Sequence, residues 1–352
     1  MSSKRKVAIL GATGAIGQRY IQLLQGHPWF QIEVLAASER SAGKKYRNAC
    51  NWTMESELPK EIANLTVADA NLEAVQKAGK VDLVFSSLPG DPAGPVEEEF
   101  AAQYPVFSKA SAHRMETDVP LLIPEVNPEH LALVAVQQKN RGWKGFITTD
   151  PNCSTIQMAL TLKPLMQFGL QQVMVTTMQA LSGAGYPGVP SLDIIDNVVP
   201  YIGKEEDKME SESNKILGTF NGKAVQNAQF VVSSSCNRVQ VIDGHLESVF
   251  VKLDKSPAAE EVAEAFRSFK GEPQALKLPS APENPIIVRE EANRPQPRFD
   301  RDAGKGMSVS VGRIRKDPIM TLKYMCLGHN TIRGGAGAGI LSAELAVAKG
   351  LA

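Results

Sequence analysis

Lys6-Val-Ala-Ile-Leu-Gly11-Ala-Thr-Gly14-Ala-Ile-Gly17 decides the fold. Residues 6–10 form a short apolar run that stops at Gly11, and from Ile16 to Leu24 apolar residues return at helical spacing until His27 and Pro28. A strand, a glycine turn and a helix in that order make a site where a dinucleotide pyrophosphate rests on backbone N–H groups and the helix dipole. The plainer reading is a tight turn without a ligand, and the position between strand and helix argues against it.

Working outward, strands are expected at 32–37, 81–86, 105–108 and 145–149, with helices near 95–103 and 129–140. Strands alternating with helices imply a parallel sheet covered on both faces. After Pro151 the strands lengthen and alternate better, at 172–181, 229–235, 245–253, 307–314 and 319–327, which suits an antiparallel or mixed sheet with one covered face. Helices are expected at 154–168, 205–220 and 258–269, and 330–352 runs from RGGAGAG into an Ala/Leu-rich helix. The proline-rich segment 278–297 reads as an ordered surface excursion, because 286–288 can pair as a strand. The expected organisation is α/β, with a dinucleotide-binding domain over 1–150, a second domain over 151–329 and a C-terminal helix over 330–352.

A chain of 352 residues, 43% hydrophobic, can bury two cores. Lys plus Arg equals Asp plus Glu at 38 each, which removes the electrostatic footprint of a nucleic-acid or anionic-membrane partner. Cys50, Cys153, Cys236 and Cys326 stand far apart with no CxxC and no close His pair, so neither a metal nor a disulfide framework is expected, and a cytoplasmic location fits. The basic start carries an apolar run too short for a signal segment or a membrane span.

The residues after the second strand are Ser38-Glu39-Arg40-Ser41. An acidic side chain there accepts from ribose hydroxyls, whereas Ser and Arg receive a 2′-phosphate, so Ser38, Arg40 and Ser41 favour NADP against the opposing Glu39. Asp150-Pro-Asn152-Cys153-Ser154-Thr155 lies at the domain junction, ahead of a helix with Ile156, Ala159 and Leu160 on its inner side. A thiol at a helix N-terminus is expected to have a lowered pKa and to act as a nucleophile, with the same N–H groups free to hold an oxyanion. Cys50, Cys236 and Cys326 read as small buried hydrophobes. In Asn237-Arg238-Val-Gln-Val-Ile-Asp-Gly-His245 the imidazole suits an acid and base, and the guanidinium suits a carboxylate. Spacing alone does not separate those roles from a structural histidine and a surface charge. His27 and His130 read as surface residues, His113 and His329 as structural ones beside turns, and Glu210, Glu212 and Lys215 as a solvated helix face.

Taken together, GATGAIGQ, SSLPGDPAGPVEEEFA, PEVNP, TTDPNCST, QALSGAGYPGVPSLDIIDN, NRVQVIDGH, KGEPQ and HNTIRGGAGAGILSAE resemble the aspartate-semialdehyde dehydrogenases, in the branch typical of archaea and fungi. The resemblance spans almost the whole chain. It implies an N-terminal Rossmann dinucleotide-binding domain completed by the C-terminal helix, plus an α+β catalytic and dimerisation domain with a mixed sheet. It implies Cys153 as nucleophile, Asn152 beside the oxyanion, Gln179 orienting the substrate, His245 as acid and base, and Arg238 on the α-carboxylate. By the same resemblance Glu212 and Lys215 bind the substrate amino group and phosphate, with Arg114 and Lys109 as further phosphate contacts. The implied cofactor contacts are Gly11, Thr13, Gly14, Ala15, Ile16, Ser38, Arg40, Ser41, Ser86, Leu88, Pro89, Ser182, Gly183 and Asn330. The implied reaction is NADPH-dependent conversion of L-aspartyl-4-phosphate to L-aspartate-4-semialdehyde through a cysteine thioester, in amino-acid biosynthesis, by a homodimer or homotetramer. Two alternatives are a malonyl-CoA reductase of the same fold and a non-catalytic dinucleotide sensor. Asn152 and Asn237-Arg238 count against the first, and the lack of an added interaction module counts against the second.

Overall fold

The computed structural model describes residues 4–352. Six strands, β1 (Arg5–Leu10), β2 (Phe30–Ala37), β3 (Ala68–Asp69), β4 (Leu83–Ser86), β5 (Pro105–Ser108) and β6 (Phe146–Thr149), form a sheet in the order β3-β2-β1-β4-β5-β6. Every pairing in it is parallel. Successive side chains of a strand point to opposite faces, so Val7 and Ile9 enter one core with Tyr20 and Leu341, while Ala8 and Leu10 enter another with Phe100 and Val106. That two-sided burial is why these strands read as unbroken apolar runs rather than alternations. The strand order reverses between β1 and β4, and the crevice opens there.

The helix Gly337–Ala348 packs on the first helix, Ala15–Leu23, and so returns the C-terminus to the parallel-sheet domain. His27 corrects the surface reading: it is buried, its Nε2 lies 2.8 Å from Glu344 on that last helix, and its Nδ1 accepts from the N–H groups of Trp29 and Phe30. His130 is likewise buried, between Asn127 and the carbonyl of Gly218.

The second sheet is mixed. It comprises β7 (Leu170–Gln179), β10 (Val231–Arg238), β11 (His245–Leu253), β12 (Ile286–Arg289), β13 (Val309–Lys316) and β14 (Leu322–Gly328), in the order β10-β7-β11-β14-β13-β12. The β10–β7 and β12–β13 pairs are parallel and the rest antiparallel, so the proline-rich excursion does return a strand. One face is covered; on the other Met174 and Val231 stand exposed. The helix Cys153–Leu165 is buried on nearly every side instead of one, because it is packed between this sheet, the helix Glu205–Ile216 and the segment Ile332–Ala336. The helix expected over 205–220 stops at Ile216, and a two-strand hairpin, β8 (Thr219–Phe220) and β9 (Val225–Gln226), follows. Gly218 sits so close there that a Cβ would lie 2.5 Å from the Gln226 carbonyl oxygen. Among the described residues no helix is long and apolar enough to cross a membrane.

Candidate active site

β1 delivers the chain to Gly11, whose φ of +73° is open to glycine, and a Cβ there would lie 2.7 Å from the Ser87 carbonyl oxygen. A Cβ on Gly17 would lie 2.3 Å from the Gly11 carbonyl oxygen, so the turn closes only with glycine at both places. Gly14 caps the helix Ala15–Leu23 without a side chain, leaving first-turn N–H groups for an anion. This cradle fits a dinucleotide pyrophosphate. Gly14, Ala15, Ile16 and Leu88 line a cleft shared with Asn152, Cys153, Lys109, Arg114, Ser182, Gly183 and Asn330. Thr13 is half-buried in the same turn, and Ser38, Arg40 and Ser41 follow the end of β2 beside it. Pro89 is exposed at the cap of the next helix. Ser86 is a correction: its side chain is buried and donates to Glu97 at 2.6 Å, and its neighbour Ser87 is the residue that lines the cleft.

β6 ends at Thr149 and the next helix begins at Cys153, so three residues carry the chain across the domain seam. Asn152 caps that helix: its Oδ1 accepts from the N–H groups of Ser154 (2.9 Å) and Thr155 (3.3 Å). Its Nδ2 donates to both oxygens of Glu205, at 3.0 and 2.8 Å. The carboxamide is thereby spent on the helix and on Glu205.

The Cys153 sulfur lies 3.2 Å from His245 Nε2. His245 Nδ1 accepts the Ala180 N–H at 3.0 Å, which puts the ring proton of the neutral imidazole on Nε2, facing the sulfur. Burial, then the Arg238 and His329 charges, pushes this imidazole down to about 3. Burial, then Glu205, pushes the Cys153 thiol up to about 12, against the pull of Arg238, Lys109 and Arg114. The expectation of an acidic cysteine is overturned, because desolvation of the sulfur outweighs the cationic groups around it. The resting pair is a neutral thiol and a neutral Nε2–H imidazole. Alkylation of Cys153 by iodoacetamide, followed by peptide mass spectrometry, is expected to rise about tenfold per pH unit between about pH 7 and pH 9. A plateau near neutrality would mean the thiol ionises early.

The sequence carries Glu-x-x-Lys twice in one helix, at Glu205/Lys208 and at Glu212/Lys215, and the tertiary structure separates them. Lys215 is buried, with Nζ donating to the carbonyls of Arg114 (2.7 Å), Glu116 (2.7 Å) and Val119 (2.9 Å). Glu212 accepts from Arg114 Nη1 at 2.8 Å and from the Asn152 N–H at 2.7 Å. Both act as internal braces, so neither their reading as a solvated face nor their reading as ligand contacts fits. Glu205 and Lys208 line the cleft, 3.0 Å apart. The repeated spacing was the available signal; only packing tells the two pairs apart. Lys208→Met is expected to raise the KM of an anionic substrate at unchanged thermal midpoint. Lys215→Met strands three carbonyl oxygens and is expected to cost about 3 kcal/mol of stability. Thermal unfolding and saturation curves of the two variants check this contrast.

Arg238 is buried at the end of β10, with Nη1 2.6 Å from the Ala180 carbonyl oxygen. Gly183 leaves it room, since a Cβ would sit 2.8 Å from that Nη1. Gln179, its partner across β7–β10, is buried and reaches Thr177 and Glu205 at 3.3 and 3.4 Å. Lys109 Nζ lies 3.3 Å from Asp150. Asn330 joins two loops, donating to Ser182 Oγ and accepting from the Gly244 N–H, each at 2.8 Å. All four cysteines are free thiols. Glu98, His113 and Glu116 bring possible metal-ligand atoms within 4.8 Å of one another. His113 and Glu116 pair with each other, and Arg141 pairs with Glu98 and Glu116, so these groups read as an ion-pair network. Cationic Lys109, Arg114 and Lys208 with anionic Glu205 around one thiol suit a small ligand bearing anionic groups and an ammonium.

Residues 6–134 match the family described as semialdehyde dehydrogenase, NAD binding domain, and residues 162–333 the semialdehyde dehydrogenase, dimerisation domain. An aspartate-semialdehyde dehydrogenase of Archaeoglobus fulgidus is 56% identical over 345 residues, covering 97% of each chain. A crystal structure of aspartate semialdehyde dehydrogenase with NADP from Candida albicans superimposes with a TM-score of 0.90 at 43% identity, covering 99% of this chain and 100% of that one. A malonyl CoA reductase (NADP) of Metallosphaera sedula is 44% identical over 351 residues, covering 98% of this chain and 97% of its own.

Proposed function

The chain belongs to the aspartate-semialdehyde dehydrogenase family, and from that premise we propose that it converts L-aspartyl-4-phosphate to L-aspartate-4-semialdehyde with NADPH, through a thioester on Cys153. The observation that carries this reading is the 3.2 Å approach of the Cys153 sulfur to His245 Nε2 in the cleft that also holds the glycine turn.

The Gly11–Gly17 turn and the open helix N-terminus behind it would hold the NADP(H) pyrophosphate, with Ser38, Arg40 and Ser41 at the 2′-phosphate. When bound, the nicotinamide supplies the hydride that reduces the thioester. Glu205 receives the substrate ammonium, Arg238 its α-carboxylate, and Lys208, Arg114 and Lys109 its phosphate. Cys153 attacks the β-carbonyl carbon, the C–O bond to phosphate breaks, and the phosphate departs carrying the thiol proton, as hydrogen phosphate. On collapse of the reduced tetrahedral adduct the C–S bond breaks towards sulfur. The His245 Nε2–H, held by Ala180, donates to the departing thiolate and stabilises it.

Glu205 also favours an aspartyl over a malonyl substrate, because a malonyl thioester offers no ammonium to pair with it. For the exposed Met174 and Val231 face of the mixed sheet the proposed partner is a second copy of the chain, as a homodimer or a dimer of dimers. Four free thiols suit a reducing cytoplasm. The test follows NADPH absorbance with L-aspartate-4-semialdehyde and phosphate, NADP against NAD. Phosphate-dependent reduction of NADP is the expected result. Absence of it, with NADPH oxidation on malonyl-CoA, would overturn the assignment.

A further inference from the structure

We propose that Gln157 and Glu247 form a buried positioning pair that sets the separation between the Cys153 sulfur and the His245 imidazole; the role rests on the thioester reading above. Gln157 lies four residues after Cys153 in the same helix, on the same face. Its Nε2 donates to the His245 carbonyl oxygen at 2.9 Å. His245 stands opposite Gly328 in the β11–β14 pair, and a Cβ on Gly328 would lie 2.4 Å from Gln157 Oε1. The carboxamide is thus wedged onto the first residue of β11, the one that carries the imidazole. It ties the helix bearing the sulfur to the strand bearing the ring.

Two residues along, on the same strand face, Glu247 stands opposite Cys326, whose Sγ lies 3.4 Å from Glu247 Oε2. Glu247 Oε1 and Gln157 Oε1 are both buried without a partner. Bare acceptor oxygens in an enclosed patch are costly, and a proton on Glu247 adds a donor where the protein supplies too few. Burial pushes the Glu247 carboxyl up to about 8, against the pull of Gln157 and Cys326. The titratable groups whose charges couple to it are Cys236 on β10 and Tyr324 and Cys326 on β14, none of them cationic. Its folded pKa lies above its unfolded one, so the stability it lends is whole in acid and is lost as the pH rises through about 8. Above that pH an uncompensated carboxylate faces the wedge, and the Cys153–His245 contact loosens.

The test measures kcat, both KM values and the thermal midpoint of wild type, Gln157→Leu and Glu247→Gln from about pH 6 to pH 9.5, with Cys153 alkylation rates in the same samples without substrate. Gln157→Leu is expected to lower kcat about 10- to 100-fold with both KM values within about twofold, and to change the alkylation rate about threefold or more. Glu247→Gln cannot ionise and is expected to flatten the fall of kcat above about pH 8, which a packing role would leave in place. The pair is overturned by a Gln157→Leu kcat and alkylation rate matching wild type, or by a Glu247→Gln alkaline limb that coincides with wild type. If Gln157→Leu does not fold, the Glu247→Gln profile decides alone, in turnover or in alkylation. A wild type that fails to turn over the semialdehyde rejects the thioester reading; an active wild type with variants indistinguishable from it rejects only the pair.

Discussion

Cys153→Ala is expected to keep the fold and NADPH binding and to lower turnover by about four orders of magnitude or more. Of the four cysteines, Cys153 is the one that lines the cleft, and without its sulfur the acyl group has no thiol acceptor from which to be reduced. The fold survives because alanine keeps the Cβ against which Gly334 is packed, and because Asn152 still caps the helix through Ser154 and Thr155. The dinucleotide cradle is built from a different segment of the chain, Gly11 to Gly17. Three measurements check it together: kcat in the phosphorylating direction, a fluorescence titration with NADPH, and the thermal midpoint. Residual turnover within about a hundredfold of wild type, on a folded and cofactor-binding variant, would remove the covalent route.

His245→Ala is expected to cost about 10²- to 10⁴-fold in kcat. The imidazole is fixed at both ends, by the Ala180 N–H on Nδ1 and by the sulfur at Nε2, so its proton already points at the atom that must leave as a thiolate. Alanine also strands the buried Ala180 N–H, at about 1–3 kcal/mol of stability. His245→Gln separates donation from base chemistry, since a carboxamide can offer an N–H to sulfur but cannot take up a proton near neutral pH. Recovery of about tenfold over alanine would identify the N–H donor as the working part. Equal losses in both variants would mean that the ring must also accept a proton during turnover.

Much of this molecule was legible along the chain. The expected strands at 105–108 and 245–253 coincide with β5 and β11, and the first strand, turn and helix lie within a residue of their expected bounds. Those signals are local: a change of apolar period, or a glycine where a Cβ would strike the backbone. His27 reads as a surface residue because it precedes Pro28, and His130 because it falls on a polar helix face, yet both are buried. The partner that buries His27 comes from 317 residues away, and the carbonyl that His130 meets comes from 88 residues away.

The sequence by itself determined the two sheets and the glycine turn, since each depends on short-range pattern, and it singled out as candidates the junction cysteine and, through a motif many residues long, the histidine and arginine of the Asn237–His245 stretch. Tertiary structure alone decided which Glu-x-x-Lys pair faces the cleft, that Ser86 is turned inward to Glu97, and that the thiol rests protonated. The physical reason is the same in all three. Solvation and electrostatic field at a side chain are sums over groups brought in from distant parts of the chain, and residue spacing carries no record of them.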